Sequence, residues 1–297
     1  MGNPEKINMR QLLTLLLLVC TFITTNAQKH IEIPQSEVVD NFVSRLPGNL
    51  NKFKLEDLQN SRDSLAIRIW RTNEILTIKA NDSTDYECKF FIYNNRFGLQ
   101  EKIYSGKLSG TFLDSLKSFN FVELKNDNFR GIDGSFIFFE ISTLKNYKIC
   151  SFWSPESKRN DNCRIAVQTL DLIDKLLNKQ TLRTEFIENL EPETYSWGIK
   201  TLSFRIDRFL ANGAKTDFYI STEHKIRTEL NISDDTKHTE YPLIIINDKV
   251  AQISDLNRYL QKDILSFEIL KPDNTTKAIY GTSGNYGIVK TKTKKKD

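Results

Sequence analysis

The sequence predicts an α+β protein: an N-terminal antiparallel sheet domain with a packing helix, then a small C-terminal α/β module. Three observations carry this. Between Ala66 and Trp153, short runs rich in aromatic and β-branched residues are separated by turn signals such as Asn81-Asp82 and Asn94-Asn95, the pattern of successive hairpins. Ile165 to Leu177 (IAVQTLDLIDKLL) repeats its apolar residues at helical spacing and so needs a sheet face to bury. Beyond a largely polar stretch at 183–194, strand-like and helix-like segments mix again. A chain of 297 residues has room for about two domains. With 39% hydrophobic and 27% charged residues, 19 Phe and 10 Tyr, it fills ordinary cores and is not a disordered polypeptide.

The elements follow in order. Lys6 and Arg10 precede an apolar run from Leu12 to Ile23, and Thr25-Asn26-Ala27-Gln28 follows, which reads as a secretory signal peptide over 1–27 cut between Ala27 and Gln28. The rival reading is a lipoprotein acylated at Cys20; Val19, where a lipobox wants a small residue, weighs against it. No second hydrophobic segment is long enough to span a bilayer. The N-terminal domain then covers 28–182. It opens with a mostly helical lead-in from Ile31 to about Asn60, broken at Pro47-Gly48. Strands are expected at Ala66–Trp70, Ile75–Lys79, Tyr86–Tyr93, Lys102–Tyr104, Phe121–Leu124, Phe136–Ile141 and Tyr147–Trp153, with a helix at Phe112–Phe119 and the amphipathic helix at Ile165–Leu177. Residues 183–194 read as a linker. The C-terminal domain covers 195–297, with strands at Ile199–Ile206 and Thr216–Ile220 leading into the tail.

Few residues suggest chemistry. Export permits disulfides, and Cys150 and Cys163 flank a polar loop of about 14 residues whose closure would contribute roughly 3 kcal/mol; a bridge between them is the expectation. Cys88, in an alternating strand, reads as a buried thiol. His224 and His238 with Asp234, Asp235 and Glu240 have no metal-ligand spacing, so no metal is assigned. No G-x-S-x-G elbow is present, and the carboxylates lie on helix surfaces and linkers, so no catalytic residue and no cofactor is assigned. The formal charge of +4 owes much to Lys290, Lys292, Lys294, Lys295 and Lys296; with no aromatic residues interleaved, this is a solvated end and not a nucleic-acid site. Phe138-Phe139 and Phe152-Trp153 send neighbours to opposite sheet faces, so either both faces are covered or one shows an aromatic patch to a partner.

The tail, 242–295, is the most specific stretch. Leu243–Ile246 is a buried strand closed by Asn247-Asp248. Ser254 caps a short helix over Asp255–Gln261, and a strand through Phe267, Ile269 and Lys271 stops at Pro272. Ala278-Ile279-Tyr280 forms a short turn, and Ile288-Val289 begins a last strand. Gly281, Gly284 and Gly287 are spaced by three, but they precede a strand where phosphate-binding glycines would open a helix, so they read as turns.

Pro242, Leu243, Asn247, Asp263, Ile264, Ser266, Glu268, Leu270, Lys271, Ala278, Ile279, Tyr280, Gly281, Gly284, Gly287 and Val289 fall in the order and register of a known pattern. The segment resembles the plug domain of TonB-dependent outer-membrane receptors, in the SusC-like branch found in Bacteroidota. It departs from that family where Lys249 replaces the usual Gly after the first strand's turn, where Asn274-Thr275-Thr276 replaces a small-residue stretch, and where no TonB box precedes the module. A receptor barrel of about 22 strands would begin where the sequence stops at Asp297, so the expectation is a plug-like module without its barrel. The resemblance implies an exported, non-enzymatic envelope protein of the periplasm or outer membrane, docking on an outer-membrane barrel or a TonB-type protein. The alternative is an exported hydrolase or small-ligand carrier whose site lies in the N-terminal domain, which requires a pocket with convergent polar groups.

Overall fold

The computed structural model describes residues 29–80, 86–95, 99–108, 110–197 and 203–294. The signal segment with Ala27 and Gln28, Cys20, the turn at Asn81-Asp82 and Lys295 lie outside these residues. The chain has an α+β fold and divides into two compact units, Met1–Phe91 with Ile103–Asp171 and Ile92–Lys102 with Leu172–Asp297.

The first unit carries most of a seven-stranded sheet. Its strands are β1 (His30–Glu32), β2 (Leu65–Arg71), β3 (Glu74–Ala80), β4 (Tyr86–Asn94), β5 (Gln100–Leu108), β6 (Phe136–Thr143) and β7 (Asn146–Trp153), in the order β1-β7-β6-β2-β3-β4-β5. The central pairs β2–β3, β2–β6 and β6–β7 are antiparallel, and the short β1 runs parallel to its neighbour β7. Asn73, at φ +63, turns β2 into β3, a conformation that Asn tolerates better than most residues. At the β6–β7 turn the Thr143 hydroxyl accepts from the backbone N–H groups of Lys145 and Asn146.

Helix α1 (Glu37–Lys52) starts on Ser36, whose hydroxyl accepts the Val39 N–H at 3.3 Å. It runs straight through Pro47-Gly48, where the sequence predicts a break. Pro47 forfeits a hydrogen bond, but apolar anchors hold the helix on both sides of it. Phe42 stacks on Phe138 at 4.1 Å and meets Trp70 edge-on at 5.7 Å, while Phe53, at the far end, meets Phe91 at 5.1 Å. The opposite sheet face buries Phe139 and Phe152 completely, with Phe121 edge-on to Phe139. Both aromatic faces are therefore covered.

Helix α2 spans Gly110–Ser118, and α3 spans Asp161–Leu176 with Cys163, Ala166, Leu170 and Ile173 buried along one stripe. Phe121–Glu123, expected as strand, is a 3₁₀ turn entered through Asn120 in the left-handed region; the Leu124 carbonyl then accepts from both the Lys148 ammonium and the Cys150 thiol. The expected Cys150–Cys163 bridge is not formed. Both are free thiols with separate acceptors: Cys150 Sγ donates to Leu124 O at 3.1 Å, and Cys163 Sγ to Asp127 Oδ2 at 3.2 Å.

The second unit holds helix α4 (Lys179–Glu188), the antiparallel pair β8 (Glu193–Ser196) and β9 (Ser203–Ile206), helix α5 (Asp217–Leu230), and the tail. The stretch expected as a linker, 183–194, is thus helix and strand. Its few apolar residues sufficed: Phe186 and Leu190 are buried, and Phe186 packs edge-on against Trp197 at 6.0 Å. The strand expected at Thr216–Ile220 is the start of α5, because the Thr216 hydroxyl caps the Tyr219 N–H and Asp217 favours the first turn. In the tail, β10 (Leu243–Ile246), β11 (Lys249–Ala251), β12 (Ile264–Leu270) and β13 (Ile288–Thr293) form a sheet in the order β11-β10-β13-β12. Strand β13 lies parallel to β10 and antiparallel to β12. Helix α6 (Asn274–Tyr280) precedes a 3₁₀ turn at Gly281–Tyr286. The helix expected over Asp255–Gln261 is a pair of 3₁₀ turns, with Gln252 and not Ser254 at the first cap; the Asp255 carboxylate accepts the Gln252 N–H at 2.9 Å.

Candidate functional site

The tail sheet collects the residues singled out in the sequence. Alternation sends Ile244, Ile246 and Val289 to one face, where they pack with Phe218, Tyr219 and Ile226 of α5 and with Ile253 and Leu256. The other face is different. Cross-strand register sets Val250, Ile245, Lys290 and Glu268 in one row across all four strands. Val250 is 66% exposed; Leu265, 63% exposed, sits at the register shift of β12 between Ile264 and Ser266. Lys292 pairs with Asp248 beyond that row. One face of a small sheet is thus core and the other is an apolar and charged surface, flanked by β11 and β12 at the ends of the strand order.

Each motif residue has a local cause. Asn247 (φ +49) and Asp248 (φ +68) make the two-residue turn between β10 and β11, with Ile246 opposite Lys249. Both turn residues take positive φ, as the favoured hairpin turn requires, so Lys249 can open a strand where a glycine was expected. The Asn247 side chain also exchanges two hydrogen bonds of 2.9 Å with Thr293, pinning the ends of β10 and β13 together. Asp263 is buried: its carboxylate accepts the Leu260 N–H at 3.1 Å and its carbonyl accepts from Lys294. The Pro242 carbonyl accepts from Arg205, and the Lys271 carbonyl from the Thr276 hydroxyl. Ser266 lies exposed opposite Lys292, and Glu268 lies opposite Lys290. The Lys290 ammonium sits 5.3 Å from the centre of the Tyr280 ring, and its hydrogen bond to the Tyr280 hydroxyl raises its affinity for its proton.

The glycines act through space and dihedrals. Gly281 (φ +59) ends α6, and Gly287 (φ +89) enters β13. Gly284 has no side chain because a Cβ there would lie 2.6 Å from the Thr276 carbonyl oxygen. The unit is tied internally by a buried pair: Asp207 accepts from Arg205 at 3.0 Å and from the Ile253 and Arg208 backbone N–H groups. Burial pushes the Asp207 carboxyl up to about 6.

His238 is held by Glu188, through its backbone N–H and its ring Nδ1, and among the described residues no cluster of His, Cys, Asp and Glu has metal-ligand geometry. Burial pushes the Cys88 and Cys150 thiols up to about 12, far from nucleophilic poise. The sequence reading missed a buried polar network in the first unit. Glu140 accepts from Trp70 Nε1 at 2.5 Å and Tyr147 Oη at 2.8 Å, beside a fully buried Arg68. The available signal was a charge at the centre of two apolar strands, LAIRIWR and FIFFEIST. Comparison with protein-family models, with curated proteins and with solved structures found no match. No helix of the described residues is long and apolar enough to cross a membrane.

Proposed function

We propose that this chain is an exported, non-enzymatic interaction protein of the bacterial envelope, and that its C-terminal unit docks on an outer-membrane or periplasmic protein. The observation that carries this is the open face of the tail sheet, where Val250 and Ile245 lie in one row with Lys290 and Glu268. Small apolar surfaces rimmed by charge are where proteins meet partners. The resemblance of 242–295 to a receptor plug supports the same reading, since a plug packs against a barrel wall, and the apolar segment ahead of Ala27 supports export.

Photo-crosslinking in cells tests the reading. A benzophenone amino acid at Val250 or Leu265 should capture one discrete envelope partner, and the same probe at Ile132, a 97% exposed residue of the first unit, should not. Equal capture from all three positions, or none from Val250 and Leu265, refutes docking through this sheet.

A further inference from the structure

Arg68 sits at the middle of β2 in an apolar sheet, 1% exposed. A guanidinium carries five N–H donors and can shed its charge only at great cost. Here Nε donates to Thr77 Oγ1 at 3.1 Å, and one Nη1 hydrogen faces Glu140 Oε2 at 3.5 Å, well beyond the roughly 2.7–2.9 Å of a charge-assisted bond. Glu140 also accepts from Trp70 and Tyr147, both at shorter distances. Among the described residues Nη2 has no hydrogen-bond partner. A buried cation with most of its donors unspent is an expensive arrangement unless something else answers it.

Arg68 and Thr77 form the buried floor of a cleft of about 170 Å³, whose walls are Lys54, Leu55, Glu56, Lys79, Glu87 and Lys89. The floor is donor-rich: Thr77 Oγ1 already accepts from Arg68, so its O–H is free to donate. At the rim Lys79 is held by two carboxylates, Glu56 and Asp63, and Lys89 by Glu87 at 2.9 Å. Among the described residues Lys54 has no ion pair. It takes φ +51 at the left-handed turn that ends α1, where Leu55 N–H closes back on the Leu50 carbonyl, so the fold holds it at the rim. The unspent groups are therefore a guanidinium edge, a hydroxyl and an ammonium, all of them donors.

We propose that this cleft binds a small oxyanion, a carboxylate or a phosphate group, with Arg68 Nη2 and the Thr77 hydroxyl beneath it and Lys54 closing over it. The volume fits a ligand of a few non-hydrogen atoms and lies below the roughly 300–1,000 Å³ of sites for drug-sized ligands. This inference does not depend on docking by the C-terminal unit, and neither fails with the other.

The test is titration of the full chain with inorganic phosphate and, separately, acetate at constant ionic strength, read by calorimetry and by the Arg68 Nε–Hε proton resonance. Saturable binding with a shift of that resonance is expected. The tighter of the two probes identifies a phosphorylated or a carboxylate ligand. Lys54→Gln, at an exposed position, should weaken binding about tenfold, and Lys54→Glu should abolish it. Thr77→Ser, which keeps the hydroxyl, should bind like the parent. No saturable response to either anion, or binding unchanged in both Lys54 variants, overturns the proposal. Those variants leave the buried floor intact, so the test does not hinge on the stability of an Arg68 substitution.

Discussion

Replacing Glu140 by Gln isolates the charge at the centre of the first unit. The amide keeps the size of the side chain and most of its bonds. Its oxygen can still accept from Trp70 Nε1, and its NH₂ can donate to Tyr147 if that hydroxyl turns round; the indole could not make the reciprocal adjustment, being a donor only. Each of these two bonds falls from charge-assisted to neutral, a loss of about 1 kcal/mol apiece. Arg68 loses the carboxylate nearest to it, with Glu56 still acting on it. Breaking a well-made buried pair costs roughly 3–5 kcal/mol; the 3.5 Å separation here places the pair below that range, at about 2 kcal/mol. The sum is about 4 kcal/mol. In an Arg68→Met background the cation is gone, and the same substitution should cost only about 2 kcal/mol. The coupling of about 2 kcal/mol is measured by hydrogen exchange of peptides covering β2 and β6, which reports the unit directly. A single-variant cost below about 1 kcal/mol, or equal costs in both backgrounds, would show that Arg68 and Glu140 are not electrostatic partners. The same Glu140→Gln change removes the negative charge behind the cleft and so should tighten phosphate binding while destabilising the fold.

Three further outcomes are expected. Gly284→Ala should destabilise the C-terminal unit by about 1–3 kcal/mol, because its Cβ meets backbone at Thr276, whereas Gly48→Ala, in open space within α1, should stabilise the first unit by up to about 1 kcal/mol; urea denaturation of both variants checks the pair. Asp207 is held near 6 when folded, against an ordinary 3.8, so between about pH 4 and 6 the folded chain keeps a proton that the unfolded chain has released. Its contribution therefore falls by about 3 kcal/mol as pH rises through that window, and Asp207→Asn should flatten the dependence; a variant with the parent's pH profile contradicts the assignment. Cys88, Cys150 and Cys163 should resist alkylation when folded and all be alkylated after unfolding without reductant, as read by peptide mapping, whereas protection that only a reductant removes would restore the disulfide.

The strands were legible in the sequence because short runs rich in β-branched and aromatic residues mark them locally. Ile67 and Ile69 on β2, and Leu76 and Ile78 on β3, announce themselves without reference to anything distant. Errors arose where the deciding contact was remote or where a cap outweighed periodicity. Pro47 reads as a break until Phe42 and Phe53 are seen to anchor both sides of it. Thr216-Asp217-Phe218-Tyr219-Ile220 reads as β-rich until the threonine is recognised as a helix cap. Residues 183–194 read as solvent-facing until Phe186 and Leu190 find Trp197 and Arg208.

The cleft illustrates a stricter limit. Arg68 in LAIRIWR breaks its strand's apolar run, and Glu140 does the same in FIFFEIST, so each is conspicuous alone. Their meeting depends on register. Arg68 faces Glu140 across β2–β6 and Thr77 across β2–β3, and a slip of one residue would send it to the opposite face. Had register only paired two opposite charges, the finding would end there, as a buried salt bridge. But Glu140 also stands beside Tyr147 and Trp70, whose donors reach it at shorter distances and occupy it. The arginine is left with more donors than acceptors at the bottom of an opening, and that imbalance, not the presence of a charged pair, makes the cleft a place for an anion.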